Sequence, residues 1–308
     1  MLLAQYLVIF VVALVVLLKA SDWFIDSAEE IGLSLGISPF IIGVTIIAFG
    51  TSLPELATSV ASVFADNSEI VIANVVGSNI TNIALVLGLV AIYVKGFEME
   101  YNIWHIDMPF LWGSAFLLYF AVYDLQFSIF EGMLFIVGIV LFLSYSFKSD
   151  NGDGQEKVKA SGKSFLMLIV GGVLVWLGAT YTIEGITGLS TLAGIDPEII
   201  AVTAVALGTS LPEVIVSINA ARKGKTSMAV GNVLGSNIFN TYVVMGVSCF
   251  FGELVIPASF LEFSLPMMIA MTVLFGIIAN NKKFTSWEGA LLLLFYAFFL
   301  LESLKSLF

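Results

Sequence analysis

The sequence predicts an all-α integral membrane protein with ten transmembrane helices in two inverted-topology five-helix repeats. Three observations predict it. The 308 residues are 59% hydrophobic and only 11% charged, against about 25% charged in soluble domains. Eleven of the twelve Lys and Arg residues fall in or beside alternate loops. A shift of 158 residues lays one half of the chain over the other.

Runs of apolar residues bounded by charges or turn signals give the spans, each near the ~20 residues a bilayer requires. In order they are 2–19, 38–64, 70–94, 106–123, 127–147, 164–183, 197–221, 227–251, 260–280 and 286–307. Long apolar runs favour helices over a barrel, whose strands alternate every second residue. The first span has no basic residue before it and no small-residue cleavage site, so it reads as a retained helix. Past its end, Asp22, Asp26, Glu29 and Glu30 read as a solvated face, with attraction of cations as the alternative. Glu131 and Glu288 open spans 5 and 10 as interfacial helix starts, where the dipole favours an acid.

The basic residues orient the chain. Lys19, Lys95, Lys148, Lys157, Lys159, Lys163, Arg222, Lys223, Lys225, Lys282 and Lys283 lie around the loops after spans 1, 3, 5, 7 and 9. Only Lys305 remains for the other side. The positive-inside rule puts those loops in the cytoplasm and both termini outside, at the plasma membrane. The segment KSDNGDGQEKVKASGK carries seven charges in sixteen residues and reads as a cytoplasmic linker, 148–163. It separates a first half, 1–147, from a second, 164–308.

Residues 36–88 align with 194–246 without a gap, and 24 of 53 positions are identical. Five spans per half is odd, so the second half enters the membrane from the opposite face. In transporters such repeats place the substrate site at their interface near the midplane. The repeat carries IIAFGTSLPE (46–55) and AVALGTSLPE (204–213), each ending on an acid deep in an apolar run. A charged side chain at the bilayer centre costs at least ~2.5 kcal/mol, so two matched acids require a reason. Pro54 and Pro212 lack an N–H, freeing the carbonyls of Gly50 and Gly208 and opening the turn. Carbonyls of Ala48, Thr51, Ala206 and Thr209 can then face a ligand. The second motif, ANVVGSNITN (73–82) and GNVLGSNIFN (231–240), sets Asn74, Ser78 and Asn82, and again Asn232, Ser236 and Asn240, on one helix face. Gly77 and Gly235 are expected at close backbone approaches.

The combined set is two carboxylates, hydroxyls, amides and freed carbonyls, without Cys or His. Such oxygens suit a hard cation such as Ca²⁺. A divalent ion, two monovalent ions or protons could each neutralise the pair, which is the chemical basis for exchange.

These paired GTSLPE and GSN motifs resemble the α-repeats of the sodium/calcium exchangers, within the cation/calcium exchanger superfamily. The resemblance implies that Glu55 and Glu213 bind Ca²⁺ and share it alternately with Na⁺. Ser52, Ser210, Ser78 and Ser236 would add hydroxyls, the carbonyls of Ala48, Thr51, Ala206 and Thr209 would complete the sites, and Asn82 and Asn240 would flank the middle. It implies three Na⁺ for one Ca²⁺, with spans 1 and 6 sliding past the rest. Some members carry Asp where this chain has Asn240, so no potassium requirement is expected. Proton/calcium exchangers of the superfamily tend to have Gly-Asn where this chain has GTS, which favours sodium and leaves proton exchange as the alternative.

Other classes fit poorly. His105, the one histidine, lies at a span entrance, and no paired-aspartate or HExxH site exists for an intramembrane protease. Two inverted halves point to alternating access rather than to a channel. The single Cys249 permits no intrachain disulfide. Nothing suggests an enzyme, a cofactor or nucleic acid, and no obligatory protein partner is evident; the expected partners are Ca²⁺, Na⁺ and the bilayer.

Overall fold

Helices account for nearly all of the computed structural model, which describes residues 2–99, 101–149, 159–194 and 208–305. In chain order they are α1 (Leu2–Ser34), α2 (Pro39–Phe64), α3 (Glu69–Tyr93), α4 (Asp107–Ala121) and α5 (Ile129–Ser149), followed by α6 (Gly162–Leu192), α7 (Leu211–Arg222), α8 (226–248), α9 (Phe260–Ala279) and α10 (Ser286–Lys305). Among the described residues, α1, α2, α3, α5, α6, α9 and α10 are long and apolar enough to cross a membrane. Helix α4 has 15 residues, and α7 has 12 in its described part. The apolar run of α8 is interrupted by Asn232, Ser236, Asn237, Asn240 and Thr241 along its length. Residues 150–158 of the expected linker and 195–207, including Ala206, lie outside the described residues.

Two helices run past their expected ends. Helix α1 continues to Ser34 because no proline or turn residue interrupts it. It stops where Gly36 takes φ +76°, with Ile37 N–H bonded back to the Gly32 carbonyl at 2.9 Å, a left-handed glycine stop. Helix α6 begins with Ser161 capping the Ser164 N–H, extends to Leu192, and stops before Gly194 at φ +74°. The two helices pack antiparallel with their backbones nearly touching. A Cβ on Gly171 would lie 3.0 Å from the Phe24 nitrogen, and one on Gly178 or Gly185 would lie 2.9 Å from the Cα of Leu17 or Phe10. The seven-residue spacing keeps one seam facing the partner helix, as in a coiled coil.

Helices α2, α3, α7 and α8 form the polar centre. Helix α2 meets α8 where a Cβ on Gly235 would collide with the Val44 carbonyl. Gly77, expected to play the same part, has no neighbour within 4 Å among the described residues; the segment equivalent to Val44, within 195–207, lies outside them. The other helices wrap this centre with side chains such as Phe135, Phe142 and Phe275, all buried.

Two short antiparallel pairs tie the loops. Phe97–Glu98, after α3, pairs with Lys283–Phe284, before α10. Gln126–Phe127, between α4 and α5, pairs with Leu254–Val255, after α8. Helices α5 and α10 open as expected from their acids, each of which caps the backbone N–H three residues before it. Glu131 accepts the Ser128 N–H at 2.6 Å, and Glu288 accepts the Thr285 N–H at 2.7 Å. His105 is exposed beside the start of α4.

The acids at the end of α1 lie on a partly exposed face, where basic residues pair with them. Asp22 pairs with Arg222 and Lys223 at 3.4 and 3.0 Å, Asp26 with Lys223 and Lys225 at 2.8 and 3.0 Å, and Glu29 with Lys225 at 2.6 Å. Glu30 accepts the Ser164 hydroxyl at 2.5 Å and the Ser161 N–H at 3.1 Å. The sequence reading missed the partners because they lie about 130 to 200 residues away in the chain. Burial alone would lower the Lys225 pKa, but hydrogen bonds to Glu29 and Asp26 hold it above the ordinary lysine range.

Candidate cation site

The GTSLPE motif breaks its helix twice in the same way. In α2, Ser52 leaves helical geometry at φ −89°, ψ 2°, and a new helix starts with Pro54 and Glu55 in its first turn. Before α7, Ser210 sits at φ −85°, ψ 0°, with Pro212 and Glu213 in the first turn. Proline suits a helix start because its missing N–H has no intrahelical partner there. Each glutamate therefore sits where free N–H groups and the helix dipole favour negative charge. Both glutamates are fully buried.

The GSN motif brings a second break. Helix α3 widens to a π-helical stretch over Thr81–Val86, and α8 does so over Asn240–Val244. Such stretches interrupt the regular hydrogen-bond ladder and recur at functional sites. They fall at Asn82 and Asn240, both fully buried.

The repeats interlock through these side chains. Thr51 donates to the Asn232 amide oxygen at 3.1 Å, and Thr209 donates to that of Asn74 at 3.1 Å. Thr51 lies 3.4 Å from the Ser236 hydroxyl, and Ser78 lies 3.2 Å from the Thr209 hydroxyl. Ser52 donates to a Glu213 carboxylate oxygen at 3.2 Å. Asn74 donates to the Glu55 carbonyl at 3.0 Å and to Ser59 at 2.9 Å, while Asn232 donates to Ser217 at 3.0 Å.

Several polar atoms here have no hydrogen-bond partner among the described residues. Among the described residues, fifteen buried side-chain nitrogen and oxygen atoms lack one. Eight of them belong to Glu55, Glu213, Asn82, Asn240 and Ser210. A buried unpaired polar group costs about 1–3 kcal/mol, more if charged, so native proteins keep few. No group of three or more His, Cys, Asp and Glu occurs among the described residues. Two carboxylates amid neutral oxygens are the donor set of a hard cation.

Comparison with known proteins fits this chemistry. The sequence profile of the family described as sodium/calcium exchanger protein matches residues 5–148 and 163–305. Sodium/calcium exchanger MaX1 of Methanosarcina acetivorans is 33% identical, with 95% of this chain and 96% of that protein aligned. Inner membrane protein YrbG of Escherichia coli is 28% identical over 92% of this chain and 90% of its own length. A solved structure of the sodium-calcium exchanger NCX_Mj soaked with Na⁺ and Ca²⁺ superposes with a TM-score of 0.83 at 31% identity, covering 96% of this chain and 97% of that one. The chain belongs to the sodium/calcium exchanger family. It is a multi-pass membrane protein whose relatives are transporters, not enzymes.

In this exchanger-family member, most of the residues singled out in the sequence converge. Glu55, Glu213, Thr51, Ser52, Ser78, Asn82, Ser210, Ser236 and Asn240 are buried on α2, α3, α7, α8 and the break preceding α7, and Ala48 is buried beside them. Thr209 is half-buried. The sequence reading passed over Ser59 and Ser217, which hold the two motif asparagines. It also passed over Asn79 and Asn237. Asn79 donates to the Asn237 carbonyl at 3.4 Å and to Thr241 at 2.9 Å, and Asn237 donates back to the Asn79 carbonyl at 3.3 Å. All four are identical between the repeats, and that identity was the available signal.

Proposed function

We propose that this chain is a secondary-active antiporter exchanging Na⁺ for Ca²⁺ by alternating access at one buried site. Glu55 and Glu213 bind the ions, with hydroxyls of Ser52, Ser78, Ser210 and Ser236 and carbonyls of Ala48, Thr51, Ala206 and Thr209. Asn82 and Asn240 flank the middle. One observation carries the reading: two buried carboxylates at matching helix breaks, surrounded by unpartnered neutral oxygens. A cation that enters between them offsets their repulsion and completes those oxygens.

The architecture we propose is ten spans in two inverted five-helix halves, 1–147 and 164–308, joined by a cytoplasmic linker at 148–163. Both termini lie outside the plasma membrane. The strand pairs support this, since each joins two loops expected on one side of the membrane, and each carries one loop from each half. The family profile matching in two stretches, 5–148 and 163–305, supports the same division. A 3:1 exchange moves one net charge per cycle, worth about 2.3 kcal/mol per 100 mV. We assign no resident cofactor.

The second reading is H⁺/Ca²⁺ exchange, favoured by the same two carboxylates, which protons could also neutralise. Uptake of ⁴⁵Ca²⁺ into proteoliposomes loaded with Na⁺, with K⁺-loaded and acid-loaded controls, separates the two. Uptake driven by the outward Na⁺ gradient and responsive to a clamped potential is the expected result. Uptake driven only by the proton gradient would move the chain to the proton-coupled branch.

A further inference from the structure

A cavity of about 990 Å³ opens between α1, α2, α5, α6 and α8, and the cation site does not use it. Gly50, Leu53, Pro54 and Ala57 line it, whereas Thr51, Ser52 and Glu55 do not. Among the described residues, none of its lining side chains is ionisable. The Thr45 hydroxyl on its wall already donates to the Ile41 carbonyl at 2.6 Å. Cavities without polar partners do not hold water.

The cavity has a floor and a mouth. Phe24, Val44, Ile139 and Phe142 form the floor and are buried. Phe49, Leu53, Ile169 and Trp176 line it too, yet are 42–66% exposed. These four lie on α2 and α6, helices long and apolar enough to cross the bilayer. Gly50 to Ala57 also lie near the middle of α2, so the mouth opens at hydrocarbon depth, continuous with the lipid-facing surface. At that depth the surrounding solvent is acyl chain, and the walls provide nothing to recognise a headgroup.

We infer that this crevice binds a phospholipid acyl chain, which inserts from the bilayer and packs against Gly50 and Pro54 behind the broken helix. Its headgroup stays outside. The chain buttresses the break through dispersion contacts that an unfilled space would forfeit.

The test uses the full-length protein in proteoliposomes containing a phospholipid with a photoactivatable diazirine on its acyl chain, followed by peptide mass spectrometry. Adducts are expected on the floor, at Val44, Ile139 or Phe142, where lipid packed around the outside of the protein does not reach. They are also expected at Leu294 and Leu301, exposed on α10, as a measure of that outer lipid. Ala57→Trp fills the crevice and should cut floor adducts about tenfold while leaving those at Leu294 unchanged. Adducts confined to exposed positions would overturn the inference. So would floor adducts undiminished in Ala57→Trp. If that variant fails to fold, the wild-type adduct map alone decides.

Discussion

The two GTSLPE segments are identical in sequence but not in surroundings. Ser52 of the first donates to Glu213 of the second at 3.2 Å. The reciprocal bond, Ser210 to Glu55, is absent: the Ser210 hydroxyl and both Glu55 carboxylate oxygens have no partner among the described residues. Thr51 is buried, while its counterpart Thr209 is half-buried. Identical residues cannot differ in chemistry, so the asymmetry belongs to the conformation. In the inverted repeat proposed above, exchanging the conformations of the halves would exchange these surroundings, giving Glu55 a bond from Ser210 and taking from Glu213 the bond from Ser52.

The strongest way to break this comparison is to neutralise each acid in turn. Glu55→Gln and Glu213→Gln should each reduce Na⁺-driven ⁴⁵Ca²⁺ uptake to background, despite their unequal surroundings. Uptake retained in one of them would mean the acids do not share a site. Asn240→Asp adds a third carboxyl group to the centre and should shift the preference among Na⁺, K⁺ and Ca²⁺ in competition assays. Wild-type ion dependence would make position 240 structural.

The serines sharpen the comparison. A hydrogen bond to a charged group contributes about 1.5–3 kcal/mol, so Ser52→Ala should shift the balance between the two access states by roughly tenfold or more. Ser210→Ala should shift it the opposite way. Apparent Ca²⁺ affinity measured from each side of oriented vesicles reads this out, and shifts of the same sign would refute the exchange of surroundings. Asn79→Ala and Asn237→Ala, which break one reciprocal pair from either end, should each destabilise the fold by about 1–3 kcal/mol. The double variant should cost less than the sum in thermal melts. The smallest effect belongs to Lys225→Ala, because exposed ion pairs contribute about 0–1 kcal/mol each. Since its partners hold the Lys225 pKa above the ordinary lysine range, its contribution is intact at neutral pH. It is lost only as pH rises through the alkaline lysine range. Wild-type melting temperatures that fall steeply across neutrality would have another origin.

Much of this was legible in the sequence, for physical reasons. Apolar runs, proline-marked breaks and repeated acids are local signals, so seven of the expected spans and the burial of Glu55 and Glu213 could be read directly. Three features were not. The π-helical stretches at Asn82 and Asn240 have no proline or glycine to announce them; packing imposes them. The pairing of Asp22, Asp26 and Glu29 with Arg222, Lys223 and Lys225 joins chain segments that only the fold brings together. Asn79 and Asn237 are identical between the repeats, yet only the structure shows that each donates to the other's carbonyl. Repeat identity marks that a position matters without saying what it touches.

The strand pairs carry a consequence for biogenesis. Phe97–Glu98 is synthesised early, but its partner Lys283–Phe284 leaves the ribosome only near the end of translation. Thr51 and Ser78 likewise wait for Asn232 and Thr209. The first half therefore enters the bilayer with its polar centre unmatched and remains so until the second half arrives. A ribosome that stalls between α5 and α6 would leave a fragment with buried acids and open strand edges, a clear target for membrane quality control.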